Sequence, residues 1–181
     1  ATLVSSSGDK AVLELANLRE LERELREIGP SFLRQFKKDA KKVVKTFNES
    51  AAIGFLPALR DSAFYVKRLH EEHGYQFRVI TSLSLDPNAG KLREMNLRKI
   101  FGDAIETVIC LDTGADKDEE LAKYKDSGLW WVEDKPANAL AGSKVGLKSI
   151  LVEHGHNMHY YHENIPLVKN WLEIYEVITR R

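Results

Sequence analysis

Apolar positions change their spacing once along this chain, near residue 50. Before it they fall at helical intervals: Leu13, Leu18, Leu21, Leu25 and Ile28 recur every three to five residues, with Arg and Glu between them. Glu20, Glu22, Arg23, Glu24, Arg26 and Glu27 are spaced to pair along such a helix. Gly29-Pro30 stops it, and Ser31 is suited to cap a second helix carrying Phe32, Leu33, Phe36, Ala40, Val43 and Val44. Residues 1–50 therefore read as an N-terminal amphipathic helical segment that packs on something.

Residues 51–181 alternate short apolar runs with helical stretches. Strands are expected over 77–81, 107–111, 129–132 and 149–152. Helices are expected over 57–73, closed by Gly74, and over 91–101, 118–125, 136–145 and 165–178, with a loop through Asp86-Pro87-Asn88-Ala89-Gly90. The alternation implies an α/β fold, a Rossmann-like parallel sheet flanked by helices with right-handed crossovers. Ligands of such sheets bind outside the carboxyl ends of the strands. Those ends carry Thr81-Ser82, Asp112, Glu133-Asp134 and Glu153-His154.

Composition changes this picture little. Lys+Arg and Asp+Glu both total 27, so net charge does not argue for nucleic-acid or membrane binding. The basic stretch 34–42 and the acidic stretch 112–120 read as solvated faces. The single cysteine, Cys110, lies in an apolar run, which excludes an intrachain disulfide and points to a buried inert thiol in a reducing compartment. No apolar run approaches the roughly 18 residues of a membrane span. The first residues lack the basic and long apolar stretches of a signal peptide.

Three short motifs give residues 52–178 a resemblance to the haloacid dehalogenase (HAD) superfamily of phosphohydrolases, particularly its small phage-encoded members. Val79-Ile80-Thr81-Ser82 resembles the motif in which a hydroxyl at a strand end holds phosphoryl oxygens, with Thr81 in that role. Lys117, with Lys123 as the fallback, stands for the family's lysine. Trp131-Val132-Glu133-Asp134 resembles the acidic motif that binds Mg²⁺, Asp134 being the principal ligand and Glu133 its companion; Asn138 stands where some relatives carry another acid. A hydroxyl, a lysine and a carboxylate-held cation are the groups that stabilise charge spread over a phosphoryl group. The resemblance implies a phosphatase or 5'-nucleotidase acting on a phosphorylated small molecule or nucleotide in the host cytoplasm.

The family's first motif, Asp-x-Asp at a strand end, supplies nucleophile and general acid/base. Nothing here matches it. The nearest stretch runs from Leu3 to Val12 and holds one aspartate, Asp9; Asp39 sits in a basic helical run with no second Asp two residues on. Residues 10–45 instead resemble the opening helices of siphophage tail-completion or minor tail proteins, which implies a homo-oligomer or phage tail partners in a virion and no catalytic residues. A third reading is a binding module that keeps an anion site at Thr81 and Lys117.

Two other features invite chemistry. His154, His156, His159 and His162 could gather a Zn²⁺ if a turn brought them together, but no Cys is near and no catalytic Glu sits at helical spacing, so they read as a His-rich surface loop at the rim of the strand ends. Trp130 and Trp131 read as strand packing rather than a stacking platform.

Overall fold

The computed structural model of this chain describes residues 30–180, with side chains from Lys38 onward. The helix expected over 10–28 and the stretch from Leu3 to Val12 lie outside the described residues. In chain order the elements are α1 (Pro30–Asn48), a 3-10 turn (Ala51–Phe55), α2 (Ser62–His73), β1 (Phe77–Thr81), α3 (Pro87–Phe101), β2 (Ile105–Cys110), α4 (Asp118–Ala122), β3 (Trp130–Glu133), α5 (Pro136–Lys144), β4 (Lys148–Val152), β5 (Leu167–Val168) and α6 (Trp171–Thr179). The fold is α/β, with helices around short parallel strands.

Among the described residues the strands form two ladders. β1 pairs with β2, and β4 lies between β3 and β5; every pairing is parallel. Val79, Ile80, Trp131, Val132 and Ser149 to Val152 are all buried, the continuous burial of strands covered on both faces. Alternation along each strand divides the core. Phe77, Val79, Val132, Ile150 and Val152 pack with Val66 and Leu69 of α2 and with Trp171 and Ile174 of α6. On the other face Ile80 and Trp131 pack with Leu121 and Leu147.

Several boundaries differ from expectation for local reasons. The helix expected over 57–73 begins at Ser62, because Leu56, which precedes Pro57, is held extended at φ −63° and ψ 131°. α3 begins at Pro87, not residue 91: the Asp86 carboxylate accepts from the Ala89 amide at 2.8 Å, and proline is favoured in a first helical turn. Residues 165–178 divide into strand β5 and helix α6. The Leu151 amide donates to the Pro166 carbonyl and the Glu153 amide to that of Val168, so this stretch pairs with β4 before Asn170 caps the helix. Gly74 closes α2 at φ 70°, as its position implies.

α1 is anchored at its carboxyl end, where Asn48 Nδ2 donates to the Leu83 carbonyl at 2.7 Å and Ser84 Oγ donates to Glu49 at 2.6 Å. Its apolar residues Val43, Val44 and Phe47 are exposed. No described helix is long and apolar enough to cross a membrane.

Candidate functional site

Parallel pairing brings the carboxyl ends of β1 and β2 to one side. There the following loops are laced together: Ser82 Oγ donates to the Ala115 carbonyl at 2.7 Å, and Thr113 Oγ1 to the Leu83 carbonyl at 2.6 Å. This lacing carries Lys117, at the start of α4, to the end of β3. Its Nζ lies 2.6 Å from Glu133 Oε2, both side chains being at most 4% exposed. The pair also sits against Trp131, whose ring centroid is 5.4 Å from Nζ.

Glu133 is occupied on both oxygens. Oε1 accepts from the amides of Asp134 and Lys135 at 3.1 and 3.3 Å. Burial pushes this carboxyl upward. The Lys117 charge, with hydrogen bonds from Asp134, Lys117 and the Lys135 amide, outweighs that and holds it at about 2. Asp134 goes the other way. Burial, and a hydrogen bond to the neighbouring Glu133 charge, raise it to about 7. Two adjacent carboxyls thus share one buried place, with the charge settled on Glu133 beside Lys117 and the proton favoured on Asp134.

The backbone at Asp134 is held by residues that sequence reasoning missed. Asn157, 2% exposed, donates from Nδ2 to the carbonyls of Asp134 and Val152 at 2.6 and 2.7 Å, and its Oδ1 accepts from the His154 amide. His156 Nε2 lies 3.1 Å from the same Asp134 carbonyl, and its ring stacks on His154 with centroids 6.0 Å apart. One asparagine therefore ties the ends of β3 and β4 together. The only trace in sequence is its place five residues past a strand end, amid histidines that draw attention to themselves.

The other candidates fall as follows. Thr81 is half-buried at the end of β1, and its carbonyl accepts from the Leu111 amide at 2.8 Å. Lys117, not Lys123, reaches Glu133; Lys123 is two-thirds exposed and pairs with Glu120. Asn138 is buried in α5, where its carbonyl accepts from Trp131 Nε1 at 3.1 Å. Asp39 is exposed on α1 rather than at a strand end, and Asp9 lies outside the described residues. Cys110 is half-buried and burial pushes its thiol up, away from reactivity.

As a cation site the arrangement is sparse. No group of three or more His, Cys, Asp or Glu side chains suited to a metal occurs among the described residues, the histidine loop included. Glu133 is taken up by Lys117 and two amides, so of the pair it is Asp134 that could offer a carboxylate to a cation, once it loses the proton it favours. One carboxylate suits Mg²⁺, which keeps several waters and completes its shell with substrate phosphate oxygens.

The raised Asp134 carboxyl has a direct consequence. A group whose pKa rises on folding, here from about 3.8 to about 7, favours the folded state most at low pH and loses that contribution as pH rises through 7. Asp134→Asn removes the cost of ionising it. The melting temperature of the variant relative to the parent should therefore climb between pH 5 and pH 8, followed by thermal denaturation. A flat difference would mean that Asp134 ionises normally.

Comparison with protein-family models finds no match, and comparison with curated proteins finds no similar sequence.

Proposed function

We propose that this chain is a HAD-like phosphohydrolase domain, of the phosphatase or 5'-nucleotidase type and of phage origin. The observation that carries the reading is the meeting of Lys117 and Glu133-Asp134 in a buried cluster outside the ends of parallel strands. Ion pairs are common; a nearly dry one at the carboxyl end of a strand, with a second carboxyl raised beside it, supports the reading. In this reading Thr81 donates to a phosphoryl oxygen and Lys117 supplies fixed positive charge. Asp134, once ionised, is the residue that would hold Mg²⁺, which would supply positive charge toward the phosphoryl oxygens. Glu133 is a positioning residue that fixes the Lys117 ammonium. Among the described residues no strand ends in the Asp-x-Asp pair that attacks phosphorus and returns the proton.

The test is turnover of p-nitrophenyl phosphate by the full chain with and without Mg²⁺. Mg²⁺-dependent hydrolysis, reduced about 100-fold in Asp134→Ala, is the expected result. Turnover that is absent, or indifferent to this substitution, overturns the enzymatic reading.

A second reading has its own observation. Val43, Val44 and Phe47 lie exposed on α1, as they would on a helix whose partner is another subunit. A phage tail-completion or minor tail protein, non-catalytic and resident in the virion, would use such a face for ring assembly. Light scattering on the eluting chain separates the two: a ring-sized oligomer favours assembly, and a monomer counts against it.

A further inference from the structure

Asp134 is held on both of the peptide planes that flank it. On its amino side its own amide donates to Glu133 Oε1 at 3.1 Å. On its carboxyl side the Lys135 amide donates to the same oxygen at 3.3 Å, while the Asp134 carbonyl accepts from Asn157 Nδ2 at 2.6 Å. A peptide group is planar, so fixing the two planes fixes φ and ψ between them and with them the direction of the Asp134 Cα–Cβ bond. The two anchorages are independent. Glu133 is placed by Lys117 at the start of α4, whereas Asn157 is placed by β4: its second Nδ2 proton goes to the Val152 carbonyl at 2.7 Å, and Val152 is paired with Val168 of β5.

We infer that Asn157 is a positioning residue of the candidate site: by tying the Asp134 carbonyl to the end of β4 it aims the Asp134 carboxylate, and so sets the affinity of the chain for a divalent cation. The inference rests on the reading of Asp134 as the residue that would hold Mg²⁺. The bonds at 157 divide into two kinds. Closing the turn after β4 takes only an acceptor, which Oδ1 supplies to the His154 amide at 2.7 Å, and an aspartate would serve there equally. The two donations are surplus to that turn. Both go to backbone at the ends of the adjacent strands β3 and β4, one of them at Asp134 itself, and only a side chain that donates twice can make them. At 2% exposure the amide has no solvent to fall back on, so its geometry is as fixed as the strands it joins. His156 Nε2, 3.1 Å from the same carbonyl, adds to the grip from a half-buried position on the loop.

The test compares Asn157→Ala, Asn157→Asp and a core change in α2, Val66→Ala, in the full chain at pH 8. Mn²⁺ is the probe, titrated by water-proton relaxation. Saturable binding by the parent should weaken about 10–100-fold in both Asn157 variants and stay unchanged in Val66→Ala. Asn157→Asp is the sharper variant, because it keeps the acceptor, loses both donations and brings a negative charge toward the cation. Binding as tight as the parent's, or tighter, would show that only charge matters near Asp134 and overturn the inference. Equal weakening in Val66→Ala would trace the effect to general loosening and overturn it too. A second readout needs no metal: the amide residual dipolar couplings of Asp134 and Lys135 should change in Asn157→Asp while those of 149–151 hold. Unchanged couplings overturn the positioning role, as does failure of both Asn157 variants to fold, which would make this a folding residue. A parent that binds no Mn²⁺ but shows the coupling change overturns the cation reading of Asp134, and with it the link to affinity, leaving the aim of the side chain established.

Discussion

Lys117→Met should lower folding stability by about 3–5 kcal/mol, the range for removing one partner of a buried ion pair. Glu133 is 1% exposed, and without the ammonium 2.6 Å away its buried charge loses that compensation. The two backbone amides on Oε1 cannot replace a full positive charge. Its carboxyl should then rise well above its present value of about 2. Sign and pH window follow. A carboxyl depressed on folding stabilises above its unfolded pKa, near 4.5, and that contribution is lost as pH falls toward 2. The cost of Lys117→Met should accordingly be large at pH 7 and shrink toward pH 4, where an unpaired Glu133 takes up a proton. Lys117→Met combined with Glu133→Leu should recover most of the loss, because an apolar pair of similar volume avoids desolvating two charges. Urea unfolding of parent, single and double variants checks this. A single-variant cost below about 1 kcal/mol would mean that water reaches the pair.

The second large effect concerns Gly142 on α5. A Cβ built there would lie 2.5 Å from Trp131 Cδ1 and 3.0 Å from Ser149 Oγ. Neither neighbour is at liberty to move. The indole donates to the Asn138 carbonyl at 3.1 Å, and the serine hydroxyl to that of Ala139 at 2.7 Å, both on the same helix. In an open helix, Gly→Ala gains up to about 1 kcal/mol from backbone entropy. Here overpacking should reverse the sign, and Gly142→Ala should cost about 1–3 kcal/mol. Chemical denaturation decides it, since a measured gain would mean that α5 can lift from β3 and β4. The loss should also disturb Trp131, and with it the lining of the Lys117 pair.

Much of the frame was legible along the chain. β1 occupies the five residues its apolar run marks, Gly74 ends α2, and Glu133-Asp134 closes a buried strand. These are local matters: side-chain alternation, a left-handed glycine and a polar pair after an apolar run. The misread boundaries were local as well. Asp86-Pro87 is a helix start written as clearly as any, and it was hidden only because glycine and proline also mark loops.

Residues 165–168 are different. Ile165-Pro166-Leu167-Val168 carries an apolar spacing compatible with a helix or a strand, and the exposed edge of β4 settles the choice. Asn157 is a further case, since an asparagine in a polar loop has no distinguishing neighbours until two strand ends come within its reach.

What this sequence determined by itself is the order of elements and the residue types at the strand ends, because period, capping and burial are written within a few residues of one another. What only the tertiary structure decided is which of those residues meet. Lys117 and Lys123 are equivalent as letters, yet one is buried on Glu133 and the other exposed beside Glu120. The opposite pKa shifts of Glu133 and Asp134 likewise arise only after folding removes water and sets one ammonium against one of two adjacent acids. Strand order is the same kind of fact. The apolar runs specify strands, but hydrogen bonds between distant segments determine that β1 pairs with β2 and that β4 lies between β3 and β5.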